Sequence, residues 1–421
     1  MRVMILEYFV FLLIMIFLLW INKVLRKSFF TVSNYLIVTF SVIAAIQVLA
    51  CYWLKYKTAT IEYWLILIFF ITIAMVADLV ASKLAQGLSV NGLKLKKKNI
   101  LSNKNEKKFN ILCVCAAMYS MLHFVKLAGL FPNIYYIVQE DFQNQYAGGI
   151  NFYVRLILLI ATVYYWGCAK ISKKNIILGL ICLIPNVLTF VKGIAFIPCL
   201  ASILLRLKKG DIKISLKAGI TVVFVGIILF FGIYLVEMGV YNPEIIFEID
   251  TYKMIGSKLI DYLISGVQSF SQNISEGDKR IFKSVDNVTL APFINCLAKI
   301  GIGESIDTIC TIWQRFGVSS IRGIAVESNV NTYIGTLYLY NGIVVGTILN
   351  VFWVFLASFL NEISEGNVDI IAALASLFCA AFALGWFDYY FMQTFWIYLI
   401  GMAFLIEFFL RIKVKIRGRI P

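Results

Sequence analysis

A chain of 421 residues that is 61% hydrophobic and 14% charged holds more apolar side chain than a soluble core can bury, since ordinary soluble domains run to about 45–50% and about 25%. Its formal charge of +15 would suggest nucleic acid in a soluble protein, but the basic residues sit between long apolar runs, which excludes that reading and points to lipid.

In chain order, the predicted membrane spans are 4–22, 33–54, 60–82, 109–131, 152–169, 176–191, 194–208, 218–237, 341–361, 368–386 and 392–410. Each is close to the roughly 17–25 residues that carry a helix across a hydrocarbon layer. Lipid offers the backbone no hydrogen-bond partners, so runs of this length without strict alternation fold as helices rather than barrel strands. The predicted class is all-α: a polytopic integral membrane protein of about eleven transmembrane helices, within a range of ten to twelve. The first run has Glu7 inside it, no A-x-A-like cleavage site and a basic flank, and reads as a retained helix. The sixth and seventh runs are short and share the Lys192-Gly193 turn, so they can form a hairpin that does not cross fully. Residues 1–421 are read as one transmembrane domain, and residues 238–340 as one large outer segment within it. A connection of that length is usually a lid or a small domain. Inside it, Asp261 to Phe270 has the spacing of a short amphipathic helix suited to the interface.

Charge sets the orientation. Lys23, Arg26 and Lys27 follow the first run, and a lysine cluster from Lys83 to Lys108 follows the third. Lys170, Lys173 and Lys174, then Arg206, Lys208, Lys209, Lys213 and Lys217, and finally Arg411 to Arg419 complete the set. These groups hold most of the 38 basic residues and fall in alternate connections, which places them in the cytoplasm, the amino terminus outside and the carboxyl terminus inside. The 362–367 loop alone lacks its expected cations.

One histidine, His123, cannot make a metal cluster, and no phosphate-binding glycine loop, serine elbow or nucleic-acid motif is present. Neither a metal nor another cofactor is expected. Seven cysteines lie in apolar spans as small apolar residues, while Cys296 and Cys310 share the outer segment, either paired or as free thiols. The candidates for chemistry are ionisable residues near the outer boundary. Arg155 lies four residues into the fifth span, as a snorkelling anchor or as a functional cation. Lys192 sits in an outer turn, and Arg315 and Arg322 approach the ninth span beside Glu327. Glu140 and Asp141 open the segment Gln139-Glu140-Asp141-Phe142-Gln143-Asn144-Gln145-Tyr146, and Asp388 precedes Tyr389 and Tyr390 in the last outer turn. Carboxylates, amides and tyrosines together are what a sugar site needs, because amides and carboxylates grip hydroxyls and aromatic faces pack on rings.

The segment from Asn329 to Gly346 reads Asn-Val-Asn-Thr-Tyr-Ile-Gly-Thr-Leu-Tyr-Leu-Tyr-Asn-Gly-Ile-Val-Val-Gly. It resembles the entry to the first span after the large outer loop in bacterial oligosaccharide repeat-unit polymerases, the Wzy-type O-antigen and capsule polymerases, whose pattern runs N-x-x-T-Y, apolar and aromatic residues, then G-(I/L)-x-G. Tyr262 to Phe270 is similar to another segment of that family, and the layout of spans and outer loop agrees. Related ligases often carry histidine at the position of Val330, and many relatives carry arginine where this chain has Lys192.

The resemblance implies a membrane glycosyltransferase of the bacterial cytoplasmic (inner) membrane. A hydroxyl of one undecaprenyl-diphosphate-linked repeat attacks the anomeric carbon of the growing chain, and undecaprenyl diphosphate leaves, building O-antigen, capsule or exopolysaccharide at the outer face. Its implied partners are those lipid-linked oligosaccharides, membrane lipids, a chain-length regulator and a flippase. Arg155, Lys192, Arg315 and Arg322 are then candidates to hold the leaving group, with Asn329, Asn331, Tyr333 and Asp388 binding sugar and Glu327, Glu140 or Asp141 as base. Two rivals stay open. A lipid-linked oligosaccharide flippase would have short outer loops and repeat symmetry, and a glycan ligase would differ mainly in its acceptor.

Overall fold

The computed structural model describes residues 2–53, 56–90, 103–131, 133–189, 191–213, 216–276, 287–306, 314–318, 325–364 and 370–411. Helices α1 (Arg2–Arg26), α2 (Val32–Trp53), α3 (Ile61–Val90) and α4 (Asn103–Ala128) come first. Next are the short α5 (Glu140–Ala147), then α6 (Gly149–Val163), α7 (Lys173–Val187), α8 (Lys192–Lys209) and α9 (Leu216–Tyr241). A further helix, α10 (Ile249–Glu276), precedes α11 (Ala291–Lys299), a ribbon of β1 (Gln314–Val318) and β2 (Ala325–Ser328), and then α12 (Tyr333–Ile363), α13 (Ile370–Ala383) and α14 (Phe395–Arg411).

A helix occupies each of the predicted runs, and among the described residues seven helices are long and apolar enough to cross a membrane. The protein is an all-helical, membrane-embedded chain; the described residues depart from helix and connection only in the two-stranded antiparallel ribbon. Phe9, Leu13, Phe17 and Trp20 of α1 stand exposed, an outward apolar stripe that lipid rather than water can cover.

Two details differ from the sequence reading, the start of the ninth run and the turn between the sixth and seventh. The ninth run starts at Tyr333 instead of 341, because α12 begins eight residues earlier and bends at Gly342, whose φ of 65° and ψ of −164° are open to glycine. The sixth and seventh runs do not turn at Lys192-Gly193: α7 ends at Val187, and Lys192 already begins α8. The segment 238–340 is largely structured, and Asp261 to Phe270 belongs to the 28-residue α10. Every residue from Ile264 to Ile274 is buried against the protein. Of the two outer cysteines, Cys296 is a free thiol, one of the two readings left open, and Cys310 lies outside the described residues.

The chain divides into two compact units. The larger comprises Met1–Leu93, Ile212–Ile363 and Phe378–Trp396, and the smaller Lys94–Asp211, Ser364–Leu377 and Ile397–Pro421. In the larger unit α3 packs along α12, and α10 packs on α2, α3, α12 and the ribbon. Its helices α1, α3 and α12 are joined by a buried ionic cluster. Arg26 Nη1 donates to Asp78 Oδ1 at 2.7 Å and Nη2 to Glu362 Oε2 at 2.6 Å. Ser33 donates through its backbone N and its Oγ to Asp78 Oδ2, and Gln86 donates to Glu362 Oε1. Glu362, near the end of α12, thus draws a cation from α1.

In the smaller unit α4, α6 and α7 pack together, with α8 against α6 and its last turn. That turn, Tyr164–Cys168, widens to a π-helix. Its carbonyls are capped by cations: Arg206 Nε donates to Trp166 O at 2.7 Å and Lys209 Nζ to Cys168 O at 2.9 Å, a favourable pairing at the negative end of a helix.

Candidate functional site

The polymerase-like segment is buried instead of looping over the surface. Asn331, Thr332 and Tyr333 are at most 2% exposed. Asn331 Oδ1 accepts from Ser269 Oγ at 2.9 Å and from Asn273 Nδ2 at 2.8 Å, tying the segment to α10. Tyr333 donates its hydroxyl to Asn350 Oδ1, and its ring stacks on Tyr389 at 5.6 Å. Thr332 starts α12: its Oγ1 accepts from Gly335 N, while its own φ is +65°. A β-branched residue rarely holds that conformation, and such strain, on the order of 1–3 kcal/mol, persists only where surroundings impose it.

What imposes it is the turn before α14. Thr332 N donates to Phe387 O at 3.3 Å and Tyr333 N to Gly385 O at 2.6 Å. From the other side α10 approaches so closely at Gly266 that a Cβ there would run into the Phe387 and Trp386 carbonyl oxygens. Tyr262, one turn before, stacks on Phe387 at 5.5 Å. The clamped turn presents Asp388. Its Oδ1 accepts from Tyr389 N at 2.7 Å, and among the described residues no cation pairs with it. Burial lifts its carboxyl to about 7, opposed by that backbone hydrogen bond. The neighbouring Tyr390 phenol is raised, first by burial and then by the Asp388 charge. A carboxyl poised near neutrality, without a salt-bridge partner, can take or give a proton.

The smaller unit holds a second polar centre. Arg155 is 6% exposed on α6, its Nε has no hydrogen-bond partner, and among the described residues no carboxylate pairs with it. Its guanidinium carbon lies 5.9 Å from the Tyr146 ring centroid, a cation–π contact. Tyr146 donates its hydroxyl to Pro185 O and shares a 3.0 Å hydrogen bond with Ser120, and burial raises its phenol, so it stays protonated. Asn151, one helical turn before Arg155, donates to Tyr146 O at 2.7 Å while its Oδ1 is unpartnered.

The remaining candidates fall apart from these centres. Glu140 and Asp141 are exposed in the first turn of α5, where the positive end of the helix accounts for acidic residues. Glu327 is exposed on β2 in register with Arg315 of β1. Asn329 is partly buried. Arg322 and the side chains of Lys192 and Arg315 lie outside the described residues. Sequence reasoning did not single out Asn151, Asn186, Asp78 or Glu362; a polar residue four positions before Arg155 in an apolar run was the one local signal.

These observations define a membrane-embedded helical protein with a clamped, aromatic-lined carboxyl in one unit and an unpaired guanidinium in the other. The chain belongs to DUF6337, a family of unknown function, whose model matches residues 60–417. No curated protein and no solved structure matches it.

Proposed function

We propose that this protein is an integral membrane glycosyltransferase that polymerises undecaprenyl-diphosphate-linked oligosaccharide repeats into O-antigen, capsule or exopolysaccharide at the outer face of the bacterial cytoplasmic membrane. The observation that carries the reading is the Asn331-Thr332-Tyr333 segment. It is the part that resembles repeat-unit polymerases, and it is strained and bonded to the turn bearing Asp388. In this reading Asp388 takes the proton of the attacking hydroxyl, a role that its lifted carboxyl suits better than the exposed Glu140, Asp141 and Glu327. Within the smaller unit, Arg155 is a desolvated positive charge suited to a lipid-linked diphosphate. The proposed topology has the amino terminus outside, the carboxyl terminus in the cytoplasm and about eleven crossings. The ionic cluster is compatible with it, because α1 and α3, which lead into basic segments, meet α12 there through Arg26, Asp78 and Glu362.

The test is chain length in cells. A deletion strain should accumulate single lipid-linked repeats and make no long polymer, and the intact gene should restore it. Normal polymer in the deletion strain refutes the reading. Accumulation of repeats on the cytoplasmic side would indicate the flippase instead.

A further inference from the structure

Around Tyr146 the smaller unit buries more unanswered hydrogen-bonding capacity than Arg155 alone. Asn151 and Asn186 are at most 1% exposed. Asn186 gives its Nδ2 to Cys182 O, and Gln143 gives its Nε2 to Ile137 O and Leu188 O. In all three amides, Asn151 included, the nitrogen is spent on a backbone carbonyl, so the amide cannot be turned about, and the oxygen is left buried without a donor. Each is linked to Tyr146 through the chain or a hydrogen bond: Asn151 bonds its carbonyl, Gln143 precedes it by one turn of α5, and Asn186 follows Pro185, whose carbonyl takes the Tyr146 hydroxyl.

Unpaired buried groups carry a desolvation cost that a bound partner removes. The cost here has two signs. Arg155 lacks an anion, whereas the amide oxygens lack donors. A diphosphate ester without hydroxyls serves the first and not the second, because its largely ionised oxygens are acceptors. A neutral sugar serves the second and leaves the charge alone.

We propose that Arg155, Asn151 and Asn186, with Gln143 at the edge, form a binding site for a phosphate ester that carries adjacent hydroxyls, the phosphate on the guanidinium and the hydroxyls on the amide oxygens. Two sources offer that chemistry, a lipid-linked sugar diphosphate and a phosphoglycerol lipid headgroup. The sugar diphosphate follows from the polymerase reading and rests on it; the hydroxylated-phosphate chemistry follows from the side chains. On this view the amides read the first sugar at the diphosphate, so the site selects the repeat as well as stabilising its leaving group.

The experiment uses the full chain in phosphatidylcholine nanodiscs, titrated with four probes: farnesyl diphosphate bearing one N-acetylhexosamine, farnesyl diphosphate alone, phosphatidylglycerol and inorganic phosphate. The sugar-bearing probe should bind roughly tenfold or more tighter than farnesyl diphosphate alone, the effect of one or two hydrogen bonds. Asn186→Ala, and Asn151→Ala where it folds, should erase that preference while binding of bare farnesyl diphosphate is unchanged, which also reports a folded protein. Arg155→Gln should weaken every phosphate probe by about tenfold or more. Tighter binding of phosphatidylglycerol, lost in the same variants, supports the site and assigns it to a headgroup. Equal affinity for the sugar-bearing and bare probes, or amide variants that weaken both alike, overturns the proposal. Chain length in the deletion strain is a separate measurement: normal polymer there refutes the polymerase and leaves the binding result standing.

Discussion

The larger and smaller units both bury arginine, in opposite states. Arg26 is held by two carboxylates, each itself satisfied, by Ser33 on one side and Gln86 on the other. Among the described residues, Arg155 has only the face of an aromatic ring. A buried charge with a full set of partners is a fixture of the fold, and its removal strands the partners. A buried charge without them costs stability until something binds, which makes it a candidate site. Burial alone does not separate structure from function here; the number of partners does.

Arg26→Leu tests the first half of that contrast with the largest expected effect. It leaves Asp78 and Glu362 buried together without a cation, at about 3–5 kcal/mol, and thermal unfolding in detergent should drop sharply with yield. Arg155→Leu should do the reverse, unfolding no earlier than wild type while transfer falls about a hundredfold or more. If it unfolds as Arg26→Leu does, its guanidinium has a structural partner and the contrast collapses.

Asp388→Asn sharpens the comparison from the other polar centre. On the proposed function, transfer should fall about a hundredfold, and an activity limb expected in wild type to rise through about pH 7 as the carboxyl ionises should be missing. Stability should move oppositely. Because burial raises this carboxyl from 3.8 to about 7, the folded state favours the protonated form; the contribution is complete below about pH 4 and is lost as pH climbs through 7. The asparagine variant should therefore be the more stable protein at pH 8 and match wild type in acid.

Gly266→Ala carries a smaller, steric effect. The added Cβ meets the Phe387 and Trp386 carbonyls, and pushing α10 off the turn should cost about 1–3 kcal/mol and weaken transfer by displacing Asp388. Wild-type stability and activity would show that the clamp is looser than its geometry. Smallest of all, Glu140→Gln and Asp141→Asn, both exposed, should change stability by no more than about 0.5 kcal/mol and leave polymer length as in wild type.

Much of the architecture was legible because hydropathy is a local property. A run from Ile61 to Leu88 is apolar wherever it packs, and lipid compels such a run to close its own hydrogen bonds as a helix. Arg155 was conspicuous for the same reason, as a charge four residues inside an apolar span. Asn331 and Tyr333 were legible as a motif but not in their use, since the first ties down α10 and the second meets Asn350. The outer segment was less legible because the mixed composition of α10 fits an interfacial or an ordinary helix equally well, and only packing shows its burial against α2, α3 and α12.

The sequence by itself determined the class, the helices and which residues are ionisable in apolar surroundings, because each follows from neighbours along the chain. The tertiary structure decided which of those residues have partners. Arg26 and Glu362 are separated by 336 positions and Gln47 and Gln268 by 221, and no local pattern encodes such a meeting. Whether Arg155 stands alone, whether Asp388 titrates near 7 and whether three amide oxygens face no donor all depend on what folding brings alongside. A hydrogen bond is a property of two groups and the space between them, and in a helical membrane protein that space is set by packing between segments remote in sequence.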